Sequence, residues 1–255
     1  MARENSTGGD YFYPDFNDEM TGTMIRSLSN VQEWTDQEQR VILTLASRIL
    51  DLSPPRSLLD LGAGLGRLVF QLLPYFNEGT FIEPDDGRRL RLSKICQEVG
   101  ALDVGFTVTP RWPEESGHIF YDVAVISHVI QHIPESTTRE LLSQACERLR
   151  PGGLLYIATC FAGASQDRFS VSQFNDRREW EEVSIDANEF ERLAAVPESG
   201  KLPVHFFTQD HLVSMIEERG VTVIDLLPFH NVTRQEFTTR DYRDIAIIAK
   251  RYPEG

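Results

Sequence analysis

Two opposite charges bracket a glycine bend in the segment SLLDLGAGLGRL, residues 57–68. Asp60 stands before Gly62, Ala63 and Gly64, and Arg67 stands just after Gly66. Glycines let a backbone turn tightly and approach a ligand closely, as nucleotide-binding loops do. A dinucleotide loop, however, keeps a small residue at the last place of GxGxxG so that helix packs on strand. Arg67 occupies that place here, and a carboxylate at Asp60 would repel a pyrophosphate. The charges suit a zwitterionic amino acid instead, its ammonium on Asp60 and its carboxylate on Arg67. Glu83 follows in TFIEPDD, at the end of the next apolar run, where an acid can accept hydrogen bonds from both hydroxyls of a ribose. The implied ligand is an amino acid joined to a nucleoside.

Such side chains need a frame that sets strand ends side by side. Short apolar runs alternate with longer amphipathic ones, the pattern of a parallel sheet with crossover helices. The pattern predicts strands at 57–60, 78–83, 104–109, 122–127, 154–160, 222–228 and 244–250, and helices at 66–73, 88–99, 134–149 and 209–219. An earlier helix, 35–50, follows from the spacing of Val41, Leu45 and Ile49 behind a Thr35 cap, and Pro54-Pro55 ends it. Arg150-Pro151-Gly152-Gly153 is expected to stop a helix and turn the chain into the fifth strand. Residues 1–55 form an N-terminal arm and helical cap, and 56–255 the main domain. An insertion at about 161–207, dense in aromatics, reads either as a lid over the substrate or as an ordinary helical insertion.

In this order the motifs LLDLGAGLGR, FIEPDD, YDVAVISHVIQHIP and LRPGGLLYIAT resemble the class I S-adenosylmethionine-dependent methyltransferases, over roughly 57–159 and more loosely to 250. The resemblance implies a Rossmann-like α/β fold: a seven-stranded, mostly parallel sheet with its last strand antiparallel and helices on both faces. It implies S-adenosyl-L-methionine as cofactor. Asp60, Gly62, Ala63, Gly64 and Arg67 would hold the methionine part and Glu83 the ribose. Pro84 would pack on the adenine, and Ser127 and His128 would lie near the sulfonium. Many members carry an acid after the third strand for the adenine amino group. This chain has Thr109-Pro110-Arg111-Trp112 there, so Trp112 is either a stacking partner for the base or a surface aromatic.

A sulfonium is already an activated leaving group, so methyl transfer needs alignment and exclusion of water more than acid–base machinery. A nucleophile that carries a proton gains from a base with a pKa near working pH. His128 and His132, four apart, are expected on one helical face at the cofactor edge and are the leading candidates. The bland alternative is that His132 only orients its helix. His205, in PVHFFTQDH, is a third catalytic candidate. Tyr11 and Tyr13 could close over the cofactor, and Arg177 and Arg178 could meet an anionic substrate. No compact His/Asp/Glu cluster with ligand spacing stands in the sequence, so no metal is expected.

Acids exceed bases to a net charge of −14, which disfavours nucleic acid as a partner. An Asn-Pro-Pro-Tyr type motif after the fourth strand is also missing. The longest apolar stretch, 152–164, is shorter than the roughly 20 residues a membrane span needs, and the cysteines form no CxxC pair. A cytoplasmic protein with reduced thiols is expected. The preferred acceptor is a small molecule, such as a specialised metabolite, methylated on O, N or C. Alternatives are a protein methyltransferase resembling the N-terminal alpha-amine enzymes, although Gly152 stands where that family carries Asn, and a cofactor-binding protein of the same fold that transfers no methyl group.

Overall fold

Leu58, Leu59 and Leu61 are buried on both faces of their strand, as a parallel sheet covered by helices on both sides requires. The computed structural model describes residues 36–112, 120–174, 180–198, 200–229 and 244–253. In chain order they form α1 (Asp36–Leu50), β1 (Ser57–Leu61), α2 (Val69–Leu72), β2 (Glu78–Ile82), α3 (Asp86–Glu98), β3 (Phe106–Thr109), β4 (Tyr121–Ser127), α4 (Glu135–Glu147), β5 (Leu149–Cys160), β6 (Arg168–Phe174), β7 (Trp180–Ile185), α5 (Ala187–Ala195), β8 (Lys201–Phe206), α6 (Gln209–Glu217), β9 (Val221–Phe229) and β10 (Asp244–Arg251). Tyr11, Tyr13, Arg177 and Arg178 lie outside the described residues. Among the described residues no helix is long and apolar enough to cross a membrane.

The main sheet has the order β3-β2-β1-β4-β5-β10-β9. Its strands are parallel except β10, which runs antiparallel to both β5 and β9. The predicted fold class is therefore the observed one. The order reverses between β1 and β4, and in open α/β sheets ligands bind at the carboxyl ends of strands beside such a reversal. Successive strand residues point to opposite faces, so two cores form. On one face Val41, Leu45 and Ile49 of α1 and Leu92 and Cys96 of α3 meet Leu58, Val123 and Val125. On the other Leu142 and Ala145 of α4 and Leu212 and Met215 of α6 meet Leu59, Leu61 and Ile126. α1 is thus part of a core face, and Arg48 fastens it to Asp225 of β9 through hydrogen bonds of 2.8 and 3.0 Å.

Three local expectations are corrected. β5 starts at Leu149, so Arg150-Pro151-Gly152-Gly153 lies within the strand. A register shift between Tyr121 and Val123 opposite it, with Gly152 at φ +87°, absorbs the irregularity. His128 and His132 do not share a helical face. His128 is a single left-handed residue at φ +56°, and His132 ends a short 3-10 turn, Ile130–His132, before α4 begins. The insertion is not chiefly helical: β6 pairs antiparallel with β7 and β8, and α5 buries Phe190 and Leu193. A parallel bridge between Phe161 and Phe207 joins the insertion to the end of β5.

Candidate cofactor and acceptor site

β1 and β2 are in parallel register with Asp60 opposite Phe81 and Leu61 opposite Ile82. Asp60 therefore reaches the carboxyl edge of the sheet just short of the loop, and Glu83 leaves β2 beside it. The backbone N–H groups of Gly62 and Ala63 both donate to the Ile82 carbonyl, at 2.9 and 3.0 Å, which folds the glycine loop back over β2. Gly62, Gly64 and Gly66 all have positive φ. A side chain at Gly62 would collide with Val129, whereas among the described residues the space beside Gly64 is open to 4 Å.

Glu83 organises this loop. One carboxylate oxygen accepts from the Gly64 N–H at 2.7 Å and the other from the Asp85 N–H at 2.9 Å. Burial raises its pKa, and those N–H donors oppose the rise. Asp60 lacks such relief. It is buried, no donor among the described residues reaches its carboxylate, and burial followed by the charge of Glu83 pushes it up to about 8. A buried carboxyl of this kind favours a cation in contact with it.

The other predicted cofactor residues fall around this pair. Arg67 does not reach into open space. Its guanidinium makes two parallel hydrogen bonds to Glu38 of α1, at 2.5 and 2.8 Å. Pro84 lies in the turn after β2, where its carbonyl and that of Glu83 accept from Arg89. Ser127 ends β4 opposite Ala158 of β5. Trp112 packs at the margin of the α4–α6 core with the Arg148 guanidinium 4.2 Å from its ring centroid, so one face has a cationic partner.

Of the candidate catalytic histidines, His128 lies nearest the crossover edge. Its backbone N–H donates to the Ala158 carbonyl at 2.7 Å. Its Nδ1 is 3.3 Å from Gln131 Nε2 and 4.0 Å from Asp244 Oδ1, and Gln131 Oε1 accepts from Thr159 at 3.0 Å. Burial lowers its pKa to about 3, with Arg67 and His132 adding to the effect. His132 is also held neutral, at about 4, by burial. Its Nδ1 donates to the Pro203 carbonyl at 2.8 Å, which ties the turn after β4 to β8. His205 is enclosed in the insertion, its ring stacked 3.7 Å from Phe207 and its Nε2 2.8 Å from Asp167. Asp167 also accepts from His211 and from the Thr208 N–H. Sequence spacing had not pointed to Glu38, Asp167, His211 or Asp244.

A sheet of this order with two acids and a glycine loop at its reversal defines the class I methyltransferase fold. The family model described as a methyltransferase domain matches residues 34–226, and the chain belongs to that family. It is a methyltransferase. No curated protein sequence matches it. Among solved structures it is similar to an S-adenosylmethionine-dependent methyltransferase from Clostridium acetobutylicum (TM-score 0.60, 11% identity, 93% of this chain and 100% of the other). It is also similar to the 1,6-didemethyltoxoflavin-N1-methyltransferase of Burkholderia thailandensis, with its acceptor and S-adenosylhomocysteine bound (0.59, 15%, 91% and 87%). A third similar structure is the glycopeptide N-methyltransferase MtfA (0.55, 20%, 84% and 95%).

Proposed function

We propose that this enzyme transfers the methyl group of S-adenosylmethionine to an oxygen, nitrogen or carbon nucleophile of a small-molecule acceptor. The observation that carries the reading is the pair Asp60 and Glu83: one buried carboxyl with no donor among the described residues, and one held by two amide N–H groups, on either side of the glycine bend. This chain's residues fit the cofactor. Asp60 would take the ammonium. Each Glu83 oxygen keeps a lone pair beyond its amide bond, which suits ribose hydroxyls. The space beside Gly64 leaves room for the amino-acid part.

When bound, S-adenosylmethionine supplies a sulfonium-activated methyl group. The protein's part is then to position the acceptor in line and keep water out. His128, neutral and tethered to Gln131, orients the acceptor at the β4 edge, since a pKa of about 3 makes it too weak a base to take the acceptor's proton near neutral pH. The lid of β6, β7, β8 and α5 closes the crevice, held to the body by His132 and Pro203. Similar solved structures of a 1,6-didemethyltoxoflavin-N1-methyltransferase and a glycopeptide N-methyltransferase support an acceptor of metabolite type.

The test offers radiolabelled S-adenosylmethionine with a panel of small phenols, amines and acids beside a panel of peptides. Label in small molecules and formation of S-adenosylhomocysteine are expected. Label confined to peptides would reject the acceptor class. Absence of cofactor binding by calorimetry would reject the cofactor itself.

A further inference from the structure

Asp167, His205 and His211 converge where the lid meets the body of the protein. Asp167 immediately precedes β6, His205 lies near the end of β8, and His211 is in the first turn of α6. A single carboxylate oxygen, Asp167 Oδ2, is 2.8 Å from His205 Nε2 and 2.5 Å from His211 Nδ1. The three ligand-capable atoms lie within 4.8 Å of one another. Methyl transfer as argued above makes no use of them. From this convergence we propose that Asp167, His205 and His211 bind a divalent transition-metal ion of the zinc class, which staples the lid to α6.

The donor set decides the class of ion. Two imidazole nitrogens and one carboxylate oxygen suit zinc, iron, cobalt or nickel, whereas magnesium and calcium prefer all-oxygen cages. The surroundings resemble the outer shell that metal sites require. The Thr208 N–H holds Oδ1 at 2.7 Å and so aims Oδ2 at the two rings. Stacking on Phe207 and packing 4.4 Å from Phe169 fix the plane of His205. Behind His211, Glu135 Oε1 lies 3.8 Å from the far nitrogen Nε2, and a carboxylate behind a ligating imidazole sets its orientation and basicity.

An entry path exists on one side. The His205 side chain is only 2% exposed, but those of Asp167 and His211 are 17% and 24% exposed. An ion and a completing water can therefore arrive past them. Ligands about 2.1 Å from a tetrahedral ion stand about 3.4 Å apart, so the two contacts to Asp167 need to open by less than an ångström, and the two histidine nitrogens, within 4.8 Å of each other, to close by at most about 1.4 Å. Without the ion the same groups form a hydrogen-bonded latch, the histidines donating to the carboxylate.

The experiment takes the full chain, strips it with EDTA, and titrates Zn2+ by calorimetry and by thermal melting. One bound equivalent is expected, with Tm raised by about 5 °C at a hundredfold excess over Kd, and no shift with Mg2+ or Ca2+. Co2+ should give the visible absorption of a mixed nitrogen and oxygen site. Asp167→Asn and His211→Ala should each lose the equivalent and the Tm shift, with circular dichroism confirming that both variants fold. An unbound wild type, or an equivalent that persists in both variants, would overturn the proposal. Either result leaves the methyltransferase reading standing.

Discussion

Arg67 and Glu38 clasp each other through two hydrogen bonds of 2.5 and 2.8 Å, with side chains only 14% and 4% exposed. The arginine that closes the glycine loop is thereby bolted to α1, and the loop's conformation depends on a helix outside the parallel-sheet alternation. Removing one side chain takes the paired hydrogen bonds from a buried charge. Glu38→Ala is expected to destabilise the protein by about 3–5 kcal/mol, whereas Glu38→Ala with Arg67→Ala should cost clearly less than the sum of the single variants. Urea unfolding of the four proteins checks this, and simple additivity would contradict it.

Asp60 makes cofactor binding dependent on protons. Its carboxyl titrates at about 8 in the ligand-free protein because of burial and then Glu83, but an ammonium needs the anion. Affinity for S-adenosylmethionine should therefore rise between pH 6 and pH 8, by up to about tenfold per unit, and level off above. Calorimetry in buffers of different protonation enthalpy should register proton release at pH 7. Asp60→Asn should lose both the slope and most of the affinity. Its stability should move the other way. A folded pKa above the unfolded value of about 3.9 contributes stability that is fully present below about pH 4 and is lost as pH rises to 8, so the Asn variant should gain on wild type across that window and keep a constant lead above it. A flat affinity profile in wild type would remove Asp60 from the ammonium site.

Gly62 and Gly64 should respond differently to alanine although both have positive φ. At Gly62 the new Cβ would lie 2.4 Å from Val129 Cγ2, beside His128, so Gly62→Ala should lose about 1–3 kcal/mol from overpacking on top of backbone strain. At Gly64 no atom of the described residues lies within 4 Å. Gly64→Ala should cost only the strain of about 1–2 kcal/mol while its methyl fills the proposed ligand space. Melting curves and binding isotherms together separate the two: Gly62→Ala should lose more Tm, and Gly64→Ala more affinity per degree lost.

The main sheet was legible because its strands are apolar runs interrupted by punctuation that only a crossover topology explains, and Val41, Leu45 and Ile49 announced α1 in the same way. The insertion was not. Ser170, Val171 and Ser172 of β6 are all buried, so the period-two contrast that marks a strand is erased, and its aromatics read as a helical filling. The acids at Asp60 and Glu83 could be read from strand ends. Glu38, Asp167 and His211 could not, because each acquires its partner through tertiary closure rather than spacing. Nor could His128 be seen to leave the helix: histidine is enriched among non-glycine residues of left-handed φ, but such residues are only a few per cent, too few to mark one position.

His128 and His132 give the last prediction, through their burial. Their folded pKa values, about 3 and about 4, lie below the roughly 6.5 of an unfolded histidine. Between about pH 4 and 6.5 the unfolded chain therefore binds protons that the folded chain refuses, and stability falls as pH drops through that window. Each histidine contributes at most about 1.4 kcal/mol per pH unit. Asp60 acts with the opposite sign throughout this range, so the measurement belongs in the Asp60→Asn background. There, His128→Asn, which keeps a residue tolerant of left-handed φ, should flatten the slope of unfolding free energy against pH. The kcat profile of wild type should show no inflection from either histidine near pH 6.5. An unchanged slope in the variant would mean that His128 is charged in the folded protein, and its place as a neutral hydrogen-bonding group at the β4 edge would be lost.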